Sequence, residues 1–143
     1  MTDGFDIVDP DDVETERFPE SGIRHRKLTE PLGCAEMRVN ALTLDPGQAT
    51  APHAHERQEE VYVALDGGYV LIDGTRREVA PGGVVRVDGT THEVPAGGVV
   101  RIGPEPVRSI RNESAERTQT WLLFGAPPVG TVDDFGEYRM PEE

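Results

Sequence analysis

The hydrophobic positions of this chain fall in short, β-branched runs: MRVNALTL from Met37, VYVAL from Val61, YVLID from Tyr69, VVRV from Val84, VVRI from Val99 and TWLLFG from Thr120. Gly or Pro interrupts each run before a helical period can establish itself, so the pattern predicts strands, with helix a minor component. Gly-Gly, Asp-Gly and Pro-Gly pairs part the runs about every ten residues, the spacing of an antiparallel sandwich or small barrel. Several runs, TWLLF above all, are apolar on both faces. A strand in a lone small barrel should alternate, so the outer face is expected to be covered by another sheet, and a homodimer is the simplest cover.

The ends differ from the middle. Residues 1–22 are acidic and carry Pro10 and Pro19, which suits an arm laid over a barrel spanning residues 23–128, and the acidic tail 129–143 reads the same way. FDIV near the start and DFGEY near the end are apolar enough for each to add one edge strand. Within the barrel, DGTRREVAPGGVVRV from Asp73 is followed at once by DGTTHEVPAGGVVRI from Asp88, a tandem repeat over residues 73–102. Two hairpin-sized copies are too few for a solenoid. They predict one extra β-hairpin inserted in the barrel, with the first copy dispensable if the second leads into RIGPEPVRSIRN.

Composition narrows the class. A chain of 143 residues, 36% hydrophobic, fits one compact domain. Neither a leader-like start nor a membrane-length apolar run is present, which predicts a cytoplasmic protein. The one cysteine, Cys34, has no partner in the sequence and is expected to be a small packed thiol. With 27 acidic against 14 basic residues the net charge is −13, a surface that repels nucleic acid and anionic membranes. No basic helix-turn-helix segment offsets this. All the basic residues but Lys27 are arginines, and the combination resembles proteins of salt-loving archaea, which implies a halophilic, salt-rich cytoplasm where the Debye length is only about 3 Å at 1 M.

The chemistry centres on PGQATAPHAHERQEEVYVALDGG. His53 and His55, at i and i+2 on an extended segment, point the same way and present two imidazoles side by side. A carboxylate from the next strand completes a two-histidine, one-carboxylate face of the kind that leaves open positions on iron, manganese and similar ions. Glu59 and Glu60 face opposite ways on a strand, so only one can take part.

At these residues the chain resembles the cupin superfamily. Its first signature runs glycine, five residues, histidine, one, histidine, three or four, glutamate, six, glycine, and is met by Gly47, His53, His55, Glu60 and Gly67. The resemblance covers residues from about 35 to 126 and implies an all-β fold, the cupin double-stranded β-helix or jelly-roll-like barrel. It also implies Glu60 as the ligand and Glu59 as a bystander. The second signature begins at Gly97 but then meets Gly103, Glu105, Arg108 and Asn112 where proline, glycine, histidine and asparagine are expected. Arg108 thus stands in place of the superfamily's fourth metal ligand.

A guanidinium remains charged, and at about 5 Å from a divalent ion it is repelled by roughly 6 to 7 kcal/mol at an effective dielectric of 20. Three arrangements follow. Arg108 swings away and leaves a three-ligand site; it clamps the carboxylate or phosphate of a bound substrate; or it pairs with Glu60 in a metal-free barrel.

The resemblance therefore implies two functions. One is a barrel in which His53, His55 and Glu60 hold a divalent transition metal (Fe, Mn, Ni or Zn) and a small anionic metabolite binds with help from Arg108 and Tyr62, as in an oxygenase or lyase. The other is a metal-free, non-catalytic ligand-binding or interaction module. His92 is offset by one residue from the signature and faces away. His25, among Arg24, Arg26 and Lys27, reads as part of an exposed basic cluster, Arg111 as a surface contact and Trp121 as core.

Overall fold

The computed structural model describes residues 4–19, 21–55, 57–73, 78–80, 84–86 and 90–127. In chain order these form β1 (Glu16–Arg17), β2 (Arg24–Lys27), the single turn α1 (Thr29–Leu32), β3 (Arg38–Leu44), β4 (Glu59–Ala64), β5 (Gly68–Asp73), β6 (Glu78–Ala80), β7 (Val84–Arg86), β8 (Thr90–Val94), β9 (Gly98–Ile102), β10 (Val107–Arg111) and β11 (Gln119–Ala126). Each apolar run of the sequence is a strand. Of the strands that the runs do not announce, β2 and β10 are rich in arginine.

One sheet has the order β1-β2-β3-β11-β4-β9 and a second the order β10-β5-β8, all pairs antiparallel. Residues 48–54 run beside β10 and widen the second sheet, with Thr50 N donating to Ile110 O at 2.9 Å and His53 N to Arg108 O at 3.0 Å. Side chains alternate across a strand, so one face of each sheet turns inward. There Ile23, Leu42, Leu44, Tyr62, Ala64, Val70, Val94, Ile102, Ile110, Trp121 and Leu123 form the main core. Trp121 is fully buried, as expected, and its ring crosses that of Tyr62 at 85° with centroids 6.3 Å apart.

Tight passage of the backbone past that tryptophan requires glycine. Gly68 has φ +155°, and a Cβ there would lie 2.6 Å from Trp121 Cζ2. Gly68→Ala is expected to lower stability by about 1–3 kcal/mol, readable as a lowered urea midpoint, through overpacking and backbone strain together.

The outer face of the first sheet has its own small core. Leu28, Val39 and Ala41 are buried there with Val8, Val13, Leu32, Cys34, Leu122 and Phe124 against them. The acidic arm and α1 thus supply part of the cover that the doubly apolar β11 demands, and Cys34 is a packed thiol. At the β4–β9 end Leu65 and Val99 remain 47% and 64% exposed. The arm also adds an edge strand, through β1 rather than through FDIV; DFGEY lies outside the described residues.

Two expectations are now decided. The second copy of the repeat lies in the barrel, where β8 pairs with β5 and β9 with β4. The first copy supplies β6 and β7, which pair with each other. His25, by contrast, is not in an exposed cluster: it is 4% exposed on β2, opposite Leu42 of the core face, and stacks on Phe18 with centroids 4.1 Å apart. Its partner strand, not its basic neighbours, sets the direction of its side chain. No helix among the described residues is long and apolar enough to cross a membrane.

Candidate metal-binding site

His53 and Arg108 face one another across a narrow antiparallel bridge in which each backbone N–H donates to the other's carbonyl, at 3.0 and 2.7 Å. Paired residues share a face, so the imidazole and the guanidinium stand side by side. His55 follows two residues on, its N–H held by Pro104 O at 2.9 Å. Glu60 enters from β4 on the opposite sheet, with its neighbour Glu59 exposed and turned outward toward Arg101 at 3.7 Å. One ligand atom from each of His53, His55 and Glu60 lies within 4.8 Å of the others. This is the set the sequence singled out.

His53 Nδ1 lies 2.8 Å from Ala51 O. A carbonyl can only accept, so in the neutral ring the proton sits on Nδ1 and Nε2 carries the lone pair, the usual backing of a metal-ligating histidine. Burial lowers the pKa of His53, assisted by the nearby His55 and Arg108 and opposed by the Ala51 hydrogen bond and the charge of Glu60.

Glu60 is the hub. Its Oε1 accepts from Tyr62 OH at 2.7 Å and from Arg108 Nη1 at 3.2 Å, and His55 Nε2 lies 3.0 Å away. All three of these contacts fall on Oε1. Burial pushes the carboxyl up, but His55, the Tyr62 hydroxyl and Arg108 together outweigh it and hold Glu60 below its ordinary value. Burial and the Glu60 charge push Tyr62 well above 10, so it remains a donor.

Arg108 is 0% exposed, ion-paired to Glu60 and hydrogen-bonded through Nη2 to Gly103 O. The structure does not swing it away from the site. His92 lies exposed on β8, outside the converging donors, and Arg111 makes a surface pair with Glu113 at 3.0 Å. Asn112, the surviving signature asparagine, is a brace: its Nδ2 donates to Leu44 O and Arg117 O at 2.9 and 2.7 Å.

Sequence reading missed three further residues. Arg38 and Glu60 both pair with Gly125, and Asn40 and Tyr62 both pair with Leu123, so Arg38 and Asn40 share the inward face with the site. Both are buried. Gln58 lies over Gly125, where a Cβ would meet its Cδ at 2.7 Å. A signal was present, since Arg38 and Asn40 alternate in phase with Leu42 and Leu44, and polar residues in phase with a core face are costly unless they serve something.

The shifts dictate how stability responds to acid. The folded pKa of His53 lies below 6.5, so the unfolded chain binds its proton first and acidification through that value favours unfolding. The folded pKa of Glu60 lies below 4.5, so its stabilisation is complete above that pH and is lost as the pH falls through the folded value. The melting temperature is expected to be highest above pH 6.5 and to fall in two stages. The first stage should vanish in His53→Ala.

An antiparallel barrel with this mouth is the cupin double-stranded β-helix, and solved structures agree. The polyketide cyclase RemF from Streptomyces resistomycificus matches with TM-score 0.66 and 22% identity over 96% of this chain and 85% of its own. A predicted oxalate decarboxylase from Thermotoga maritima matches with TM-score 0.65 and 20% identity over 85% and 98%. A sugar phosphate isomerase of the cupin superfamily from Silicibacter pomeroyi matches with TM-score 0.62 and 20% identity over 84% and 74%. No protein-family model and no curated protein matches the chain. At such identities the likeness is one of fold, and the chemistry must be argued from the site.

Proposed function

We propose that this barrel holds a divalent transition metal ion, Fe, Mn, Ni or Zn, through His53, His55 and Glu60, and binds with it a small anionic metabolite. The observation that carries the reading is the convergence of three ligand atoms within 4.8 Å, with His53 backed by Ala51 O. When bound, such an ion supplies Lewis acidity and open positions of the sort oxygenases and lyases use. Arg108 decides the charge of the ligand. An ion of charge +2 beside one carboxylate and one buried guanidinium leaves the mouth strongly positive, and an anion restores the balance. Tyr62 keeps its proton and orients Glu60; Arg108 both pairs Glu60 and favours a carboxylate or phosphate group.

One observation favours a second reading, a metal-free binding barrel: the Arg108 pair already occupies Glu60 at 3.2 Å. Elemental analysis of untagged protein purified without chelator separates the two, with Mn(II) and Zn(II) titrated calorimetrically in the presence and absence of oxalate as the anionic probe. The proposal expects about one ion per chain, lost in His53→Ala, and tighter binding with oxalate present. No ion after reconstitution with each metal would establish the metal-free barrel instead.

A further inference from the structure

The tandem copies 73–87 and 88–102 agree at ten of fifteen positions. The environment of the second copy shows which positions matter. Val94 and Ile102 are 5% and 3% exposed, and Val100 packs against the main core. Gly98 has no room for a side chain, because a Cβ would lie 2.7 Å from Val94 Cγ1. Gly97 has φ +78° in a turn closed by Gly98 N to Pro95 O at 2.8 Å, a type II arrangement that calls for glycine at its third position.

The first copy supplies every one of these in sequence: Val79, Val87, Val85, Gly83 and Gly82. The single buried difference, Val87 for Ile102, is one methylene. The other four differences correspond to Thr91, His92, Pro95 and Ala96, all exposed. One of them improves the turn, since Pro81 would take the second position, where a type II turn favours proline. Asp73-Gly74 after Ile72 would likewise make a two-residue hairpin of the favoured Asp-Gly kind.

We propose that the two copies are interchangeable occupants of the β8–β9 place, so that the chain exchanges between two strand registers fifteen residues apart. The copy left out forms the extra hairpin. In the register described here the hairpin interrupts the β5–β8 connection. In the other it lies directly before Gly103 and Pro104, whose carbonyls hold Arg108 Nη2 and the His55 N–H.

Two variants of the full chain test this, Gly98→Val and Val94→Asp, each compared with the same substitution in a chain lacking residues 73–87. Alone, each wrecks the second copy as a barrel element. With the first copy present, the barrel is expected to refill from it, so that more than half of the loss in melting temperature is recovered. Deleting residues 88–102 instead should leave a folded chain whose melting temperature lies close to that of the 73–87 deletion. Equal losses with and without the first copy, or an unfolded 88–102 deletion, would overturn the proposal.

Discussion

Replacing Arg108 by histidine is expected to tighten the binding of Mn(II) or Zn(II) by at least about a hundredfold. Position 108 lies opposite His53 in a bridge that puts both side chains on one face. Cα atoms of such a hydrogen-bonded pair are about 5.5 Å apart, within reach of a common ion for two imidazoles. The substitution adds a ligand and removes a fixed positive charge. Repulsion of roughly 6 to 7 kcal/mol at about 5 Å is an upper bound, since the pair with Glu60 already neutralises part of the guanidinium. A hundredfold requires only about 2.7 kcal/mol of it. Competition against a chelator of known affinity gives the number directly. The response to oxalate is expected to move the other way, because the variant no longer carries the charge that favours an anion. Unchanged metal affinity would mean that Arg108 neither repels the ion nor stands at a ligand position, and the site argument would fail at its centre.

The sequence shows His53, His55, Glu60 and Arg108 clearly because strand geometry is strict. A spacing of two forces the histidines together, parity separates Glu60 from Glu59, and the signature count puts Arg108 beside them. What Arg108 does there is set by the interior: 0% exposure with a Glu60 contact at 3.2 Å keeps the guanidinium at the site and disfavours, of the three arrangements, only the one in which it swings away. The same lesson holds for β2. RHRK reads as solvated charge, yet pairing with β3 turns His25 inward onto Phe18. Register with a partner strand is a long-range property that local composition does not carry. The repeat hides for the opposite reason, since two nearly identical copies offer the same local signals and only the closed barrel distinguishes them. Arg38 and Asn40 are easily passed over because the apolar run around them announces a strand, although their phase with Leu42 and Leu44 puts them on its inner face.

Glu60→Ala is expected to cost about 3–5 kcal/mol and to lower the melting temperature by roughly 10–20 °C in metal-free buffer at neutral pH. The loss comes less from the missing contact than from what stays behind. Arg108 is wholly buried, and without Glu60 its charge keeps, among the described residues, the Gly103 carbonyl as partner, while the Tyr62 hydroxyl loses its acceptor. Buried ion pairs differ sharply in the cost of breaking them and the benefit of having them. The double variant Glu60→Leu, Arg108→Met fills similar volume with no charge to strand, and is expected to recover most of the stability that Glu60→Ala loses. It should recover neither metal uptake nor the response to oxalate. That split would show that the His55, Glu60, Tyr62 and Arg108 cluster is retained for what it binds, because an apolar mouth folds as well. If the double variant is as unstable as Glu60→Ala, the ion pair is instead part of what holds the barrel closed, and the metal-free reading gains the advantage.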